Sequence, residues 1–455
     1  MKKKNILKSS LALFLFFSIS ISFQLKAEEV QFADVKKVAF NAFSHFSGKT
    51  INELDIVQVI PFKNNDTTAF YVINFEESFI IISSDDIVEP VIGYGLHSSL
   101  AFNDIPPALD FLLESYKEEI MNAKRLRTNA TQKIHDNWNY YINYEPDRGG
   151  LQQEEGFLQE INISPFSLYK PGTYLIETKW NQYGGYLNGS DITYNYYCPT
   201  NNQGRKTIVG CGGVSVAQIL NYWKCRVHPQ DTIKYLPPGL DSININMNVQ
   251  TYNWFNMLPN HANLENAKLL YHCAAAIESE FGWNSTGSYT SKTEIGFKNN
   301  FGFSAAISYN KNFYSGSWVD LLKTDINNYR PVFYRGTDPS RGGHAWVVDG
   351  YNSSNHFHCN WGWGGSSDGW FNLSNLTGYV AFTTNQAAIT NIYPTHYPCT
   401  IFQNIIFSSK TYTGHNIKVA ECGVQNNANV IFEVECMMEI FGPFEVPLGA
   451  TFEVK

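Results

Sequence analysis

The sequence is poor in charge and in cysteine for its length. Charged residues make up 16% of the 455 residues, and 41 acidic residues outnumber 33 basic ones, which gives a net charge of −8. Nucleic acids and anionic membranes attract basic surfaces, so the sequence predicts no nucleic-acid partner. Eight cysteines without a Cys-x-x-Cys pair argue against a dense disulfide framework and against a structural zinc site.

Motifs for nucleotides, metals and cofactors are also missing. No Gly-x-x-x-x-Gly-Lys-Ser/Thr or Gly-x-Gly-x-x-Gly pattern lies between a strand-like and a helix-like run, which argues against nucleotide binding. His356 and His358 alternate on one strand-like run, but one strand supplies at most two ligands on one face and no third is identifiable. We therefore predict no metal and no cofactor, and we find no internal repeat of about 20 to 50 residues.

The first 27 residues have the pattern of an export signal. Lysines at positions 2 to 4 precede a mostly apolar run from Leu11 to Phe23, and the segment ends at Ala27. The apolar run is shorter than the roughly 18 residues that a membrane-spanning helix needs. The sequence therefore predicts a signal peptide at 1–27, no membrane span, and a location outside the cytoplasm.

The length predicts two or three folded units after this segment. Residues 28–165 mix helix-like and strand-like runs, and their last part, rich in Gly, Gln and acidic residues, is typical of an exposed linker. We expect cleavage there, between about 145 and 175. Residues 166–394 mix helices with short strands without a βαβ rhythm, which predicts an α+β fold, and 395–455 alternate as a β-rich module.

Glycines surround Cys211, and the apolar residues after it have helical spacing. We expect Cys211 just before a helix N-terminus, where unpaired N–H groups and the positive end of the helix dipole favour the thiolate. The alternative is a buried, inert cysteine. A core cysteine has no need of open backbone on both sides, so the pattern favours a nucleophile.

A base and an orienting amide follow Cys211 at a spacing that is known from one enzyme class. His344 begins a strand-like run after two glycines, and Asn360 begins a run of tryptophans and glycines. Their separations from Cys211 are 133 (344 − 211) and 149 (360 − 211) residues, within the range of about 130 to 150 that papain-type enzymes show. We predict His344 as general base and Asn360 as its orienting amide, with Gln182 as a donor to the oxyanion.

The same segments closely resemble the streptopain family of papain-like cysteine peptidases, secreted bacterial enzymes that are made as inactive zymogens. The resemblance runs through most of residues 28–394. The segments that carry it are Asn181-Gln182, Gly210-Cys211, Gly342-Gly343-His344-Ala345, Asn360-Trp361-Gly362-Trp363, and, in the N-terminal part, Phe79–Asp86 with Pro90–Tyr94.

The resemblance implies a papain-like catalytic domain at 166–394, behind a propeptide at 28–165 that inhibits it until removed. It implies protein or peptide substrates and a secreted, periplasmic or cell-surface bacterial enzyme. In the active site it implies Cys211 as nucleophile, His344 as base, and Gln182 in the oxyanion hole. It also implies Asn360 and Trp361 beside the histidine, and substrate binding by Gly343 and Ser288.

Two other functions stay open beside the secreted cysteine endopeptidase. One is a secreted binding or inhibitor protein on the same fold, against which the intact pair of Cys211 and His344 argues. The other is a thiol-dependent amidase or transferase that acts on a non-peptide substrate, which a panel of substrates would separate.

Overall fold

The fold is described by a computed structural model. It describes residues 29–49, 55–102, 105–126, 129–145, 169–183, 192–338, 342–376, 385–395, 399–403, 405–420 and 422–455. The predicted signal peptide and residues 146–168 of the predicted cleavage region lie outside the described residues. Within those ranges, every helix is too short or too polar to cross a membrane.

The N-terminal part, residues 29–145, packs helices on both faces of an antiparallel sheet. One face of the sheet carries the first and third helices, and the other face carries the second. The elements in chain order are α1 (Phe32–Ser47), β1 (Gln58–Asn64), β2 (Thr67–Asn74), β3 (Phe79–Ser83), β4 (Val91–Gly95), α2 (Pro107–Leu126) and α3 (Gln132–Asn143).

The central part, residues 169–395, combines helices with a second antiparallel sheet. Its elements are α4 (Gly210–Trp223), β5 (Thr232–Tyr235), β6 (Ile243–Asn246), α5 (Leu264–Ala276), α6 (Thr290–Phe301), β7 (Ile307–Asn310), α7 (Trp318–Asn327), β8 (Val332–Asp338), β9 (Gly342–Tyr351), β10 (His356–Asn360), β11 (Gly369–Asn372) and β12 (Asn385–Thr390). Strands β5 and β6 form a separate hairpin.

The two parts share one continuous sheet of ten strands, in the order β1-β2-β3-β4-β11-β10-β9-β8-β12-β7. The junction is the antiparallel pairing of β4 with β11, in which Gly93 lies opposite Phe371. A side chain on Gly93 would place its Cβ 2.7 Å from the Phe371 ring. The close approach of the two strands therefore requires glycine at this position.

Strands β8 and β9 separate two hydrophobic cores. Phe333 and Ala345 face the core that contains α4 and α5, whereas Tyr334 and Trp346 face the core that contains α2 of the N-terminal part. This alternation is the expected period of two for strands that are buried on both faces. Helix α4 and helix α2 therefore pack against opposite sides of the same two strands.

Helix α2 reaches the strand pair that carries His344. The Phe111 ring occupies the space that a side chain on Gly336 would fill, and its centroid lies 6.4 Å from that of Trp346. In the pairing of β8 with β9, Gly336 lies directly opposite His344. The N-terminal part thus contacts the backbone beside a predicted catalytic residue.

Two helix boundaries differ from the prediction. Helix α4 begins at Gly210, so Cys211 lies in its first turn rather than just before it. The apolar spacing of residues 264–281 predicts one continuous helix, but helix α5 ends at Ala276 because Glu278 takes a positive φ of 49°. Apolar residues continue beyond this point, and periodicity alone cannot show where the backbone turns.

The C-terminal part is β-rich, as expected, but its neighbouring strands are parallel. Its strands are β13 (Cys399–Gln403), β14 (Ile406–Phe407), β15 (Lys410–Ala420), β16 (Gly423–Val424), β17 (Asn429–Phe441) and β18 (Thr451–Val454). Paired residues are offset by 17 (399 to 416), 20 (410 to 430) and 22 (429 to 451) positions. The chain therefore winds back after each strand to lay the next one beside it, around a core that includes Phe407 and Phe432.

We predict that Phe111→Ala weakens the attachment of α2 to the central part. Truncating a buried phenylalanine costs about 3–5 kcal/mol, because packing is lost and a cavity remains. Urea unfolding followed by tryptophan fluorescence should show a lower midpoint. Leu126→Ala is the control on the same helix, because Leu126 is 54% exposed. Equal midpoints for the two variants would contradict the packing role of Phe111.

Candidate active site

The predicted nucleophile is positioned by glycines at the start of α4. Gly210 has a φ of +76°, and a Cβ there would lie 2.7 Å from the carbonyl oxygen of Thr286. A Cβ on Gly213 would lie 3.0 Å from that of Ala274 in α5. Only glycine fits both the left-handed backbone at 210 and this close packing of two helices.

The Cys211 thiol lies between α4 and β9 and is partly buried. The backbone N–H of Ala345 donates to Cys211 Sγ at 3.4 Å. Burial raises the pKa of the Cys211 thiol, and backbone N–H groups of Ala345 and Gly212 oppose that rise. The helix N-terminus alone was expected to favour the thiolate, but in the full chain burial outweighs it, because desolvation disfavours the charged form.

Four of the predicted site residues line one cavity of about 130 Å³: Cys211, Ser288, Gly343 and His344. The wall is completed by residues of α4, of α6 and the segment before it, and of β8 and β9. They are Gly212, Thr286, Gly287, Thr290, Thr293, Phe333, Arg335 and Ala345. The structure thus brings the predicted nucleophile, base and substrate-binding residues to the same place.

Asn360, at the end of β10, lies in a buried hydrogen-bond network. Its Oδ1 accepts from Gln218 Nε2 at 2.9 Å and from the backbone N–H of Gly362 at 3.1 Å, and its Nδ2 donates to the Thr178 carbonyl at 2.8 Å. Gln218 Oε1 in turn accepts from the backbone N–H of Trp180 at 3.2 Å. These bonds tie α4 to β10 and to the segment that leads to Gln182.

Gln182 is buried beside the start of α4. Asn195 Nδ2 donates to the Gln182 carbonyl at 2.9 Å, while Asn195 Oδ1 accepts from the backbone N–H of Val209 at 2.8 Å. One asparagine side chain therefore connects the predicted oxyanion residue to the backbone two positions before Cys211. The next residue, Tyr183, has its pKa raised by burial and by the nearby Cys211.

Trp361 is buried and fixed by hydrogen bonds at both its backbone and its ring. Its indole N–H donates to the Ser367 carbonyl at 2.8 Å, and its backbone N–H donates to Asp368 Oδ1 at 3.0 Å. Its ring centroid lies 5.4 Å from that of Trp346, two residues after His344. Trp361 therefore packs behind the strand that carries the predicted base.

His358, weighed as a metal ligand in the sequence, has a carboxylate partner. Its Nδ1 lies 2.6 Å from Asp349 Oδ1, and the Tyr174 ring stacks on the imidazole at a centroid distance of 4.2 Å. Asp349 Oδ2 also accepts from the backbone N–H of Ile176. This pair joins β9, β10 and the segment before Gln182.

Sequence reasoning missed several residues of this region. Gln218 is seven residues after Cys211 (218 − 211), about two helical turns, so its place on the same side of α4 could have been inferred. Asn195 and Arg335 gave no such signal. Their contacts depend on how distant segments meet, which no local pattern encodes.

Comparisons with known proteins agree with this geometry. Residues 188–371 match the Peptidase C10 family, and residues 28–120 match the Spi protease inhibitor family. Together these matches support the resemblance of the chain to the streptopain family of cysteine peptidases. The inhibitor match covers α1, most of α2 and the strands β1 to β4 between them, and these strands share the ten-stranded sheet with the peptidase part.

Individual relatives support the same assignment. Streptopain of Streptococcus pyogenes serotype M28 is 25% identical over 354 residues, which cover 71% of this chain and 80% of that protein. The thiol protease/hemagglutinin PrtT of Porphyromonas gingivalis is 24% identical over 347 residues, 71% of this chain but 37% of that protein. A structure of a Prevotella intermedia prointerpain A fragment matches with a TM-score of 0.55 at 24% identity, over 74% of this chain and 98% of the fragment. The predicted α+β, papain-like fold behind a propeptide is therefore confirmed.

We predict that Gln218→Met destabilises the streptopain-family fold around Asn360. The substitution keeps a side chain of similar length but leaves the N–H of Trp180 without its acceptor, and an unsatisfied buried group costs about 1–3 kcal/mol. The measurement is the free energy of unfolding in urea. Gln250→Met is the control, because the Gln250 side chain makes an exposed hydrogen bond. A Gln218→Met protein as stable as the control would show that the network contributes little.

Proposed function

We propose that this chain is a secreted cysteine endopeptidase, made as a zymogen, with Cys211 as nucleophile and His344 as general base. The observation that carries the proposal is the shared cavity of Cys211 and His344, at the start of a helix whose N–H groups point at the sulfur. The chain's resemblance to a cysteine peptidase family that carries an inhibitor-type propeptide supports it.

The chemistry follows from these residues. His344 takes the proton from Cys211 Sγ, and the thiolate attacks the carbonyl carbon of a peptide bond. Negative charge on the carbonyl oxygen is stabilised by the Gln182 side chain and by the backbone N–H of Cys211. The imidazolium then returns the proton to the leaving amine. Water, deprotonated by His344, hydrolyses the acyl-enzyme and frees the thiol.

The proposal extends to how the chain is divided. Residues 1–27 act as an export signal, 28–165 as the propeptide, 166–394 as the peptidase and 395–455 as a β-rich module. Cleavage between about 145 and 175 separates propeptide from peptidase. Asn360 and Trp361 stabilise the segment behind His344, and the backbone at Gly343 and Ser288 contacts the substrate.

Propeptide inhibition has a physical route in this fold. Helix α2 covers the face of β8 and β9 opposite α4, and Phe111 lies against the residue that pairs with His344. We therefore expect activity to increase when the propeptide leaves.

His356 lies between propeptide and peptidase. Its Nε2 contacts the carbonyl of Val91 at 3.1 Å, and its Nδ1 is buried without a hydrogen-bond partner. Burial lowers the pKa of His356 to about 4, and Lys133 adds to this effect. A proton on Nδ1 would have no acceptor, so the interface holds this imidazole neutral.

We predict that self-processing and activity both require Cys211. The full chain without its export signal should shorten by the mass of the propeptide under mild reducing conditions and then cleave casein. Cys211→Ala should stay intact and reduce casein cleavage by at least about a thousandfold, because no other group can attack the carbonyl. Mass spectrometry and casein hydrolysis are the measurements.

Cys198→Ala is the matched control, because Cys198 is buried away from the cavity lining, and it should process normally. If Cys211→Ala still cleaved casein, the assignment of Cys211 as nucleophile would be wrong. A correctly trimmed wild type that cut amides of small molecules but no peptide would instead favour the amidase or transferase function.

We predict that acid loosens the propeptide through His356. The free imidazole titrates near 6.5 and the docked one near 4, so between these values only the separated state binds the proton. Docking should therefore weaken as pH falls, by close to tenfold per pH unit within that window. Size-exclusion chromatography of the Cys211→Ala chain, nicked in its linker by an added protease, measures propeptide release.

His356→Gln should flatten this pH dependence, because glutamine can donate to the Val91 carbonyl but does not titrate. His135→Gln in the exposed part of α3 is the control and should keep the wild-type slope. An unchanged slope in His356→Gln would assign the pH dependence to other groups.

A further inference from the structure

A positively charged side chain forms part of the cavity wall beside Cys211. Arg335 in β8 points to the same side of the sheet as Phe333, and both line the cavity. In the pairing of β8 with β9, Arg335 lies directly opposite Ala345, whose N–H contacts the sulfur. The guanidinium is thus held by a strand, close to the reacting atoms.

Arg335 is half-buried in the cavity wall. Its Nε is buried without a hydrogen-bond acceptor. Among the residues that the structure describes, Arg335 forms no ion pair, whereas Arg330 on the neighbouring turn lies 4.0 Å from Asp325. Burial lowers the pKa of Arg335, and none of the described acidic groups offsets that effect. A half-buried cation loses part of its hydration, and an anionic partner would offset that loss.

Two threonine hydroxyls near Arg335 are also buried without a hydrogen-bond partner. Thr290, at the start of α6, lines the cavity, and its buried Oγ1 has no hydrogen-bond partner. Thr337 is two residues along β8 from Arg335 and lies opposite Gly343, and its Oγ1 is also buried and unpartnered. The cavity wall therefore contains two donors, Arg335 Nε and the Thr290 hydroxyl, for which the described residues supply no acceptor, while Thr337 lies outside the lining.

The charge of Arg335 also does not affect the pKa of the Cys211 thiol. The hydrogen bonds that lower the pKa of Cys211 come from backbone N–H groups, and Arg335 does not contribute. A cation that neither pairs with a carboxylate nor stabilises the nucleophile is available to a ligand. A guanidinium binds carboxylates with two parallel hydrogen bonds, which gives both strength and orientation.

We propose that this cavity is a specificity pocket for an acidic side chain of the substrate, so that the enzyme cleaves peptides next to glutamate or aspartate. This inference rests on the proposed peptidase function and names its substrate class. A volume of about 130 Å³ is slightly smaller than a cavity that holds benzene, so it fits one side chain. The carboxylate pairs with Arg335, and the Thr290 hydroxyl donates to it.

The test uses the full chain after self-processing. Fluorogenic peptides carry Glu, Gln, Leu or Lys at each of the two positions before and after the scissile bond, with all other residues constant. Glu and Gln have the same shape, so their ratio of kcat/KM isolates the charge. A buried hydrogen bond to a charged group predicts that Glu exceeds Gln by about tenfold to a hundredfold at one position.

Variants of Arg335 identify the source of that ratio. Arg335→Met should bring the ratio of Glu to Gln close to one. Arg335→Glu should invert the charge preference, so that the Lys peptide is cleaved faster than the Glu peptide. Lys234→Met removes an exposed charge from β5, outside the cavity, and should leave the ratio unchanged.

The outcomes separate this inference from the proposed function. If Leu peptides are cleaved but Glu is no better than Gln at any position, the pocket assignment is wrong and the peptidase function stands. A ratio that persists in Arg335→Met also overturns it. If processed protein cleaves no peptide of the set, and no casein, the proposed function fails and this inference falls with it.

Discussion

The side-chain amides of Gln218 and Asn360 meet inside the central part, and the segments of the proposed active site are attached to this contact. Gln218 belongs to the helix that carries Cys211, Asn360 ends the strand before Trp361, and both bind the backbone between Thr178 and Trp180 that leads to Gln182. A buried amide pair is specific because each lost bond leaves an unsatisfied polar group. The network can therefore hold three distant segments in one register, which apolar packing alone does less well.

The shared sheet is a second constraint on the structure. The strands of the propeptide extend the sheet of the peptidase part, so the two parts are joined by backbone hydrogen bonds. Strand β4 completes the hydrogen bonds of β11, and α2 covers apolar residues of β8 and β9 such as Trp346. Removing the propeptide exposes both a strand edge and an apolar face.

The sequence predicted what depends on neighbours in the chain and missed what depends on distant segments. The glycines around Cys211 and the helical spacing after it indicated the start of α4 to within a residue, and the predicted strand at His344 is present. The hydrogen bonds of Asn360 to Gln218 and Thr178 were not predicted, because they join elements far apart in sequence. Alternation showed the strands after 399 but not their parallel direction, since both directions have a period of two.

Arg335 illustrates why the unexpected residue carries the most information about substrates. An apolar side chain at this position would pack against Phe333 and leave no charge to desolvate, and replacing a buried ionic group in this way is often neutral or stabilising. The structure instead holds a cation, together with the unpartnered Thr290 hydroxyl, in the wall of the cavity that contains the nucleophile. Stability alone gives no reason for this arrangement. An acidic side chain of the substrate gives a reason for it. Such a side chain supplies the missing negative charge and hydrogen-bond acceptors only when the substrate is bound.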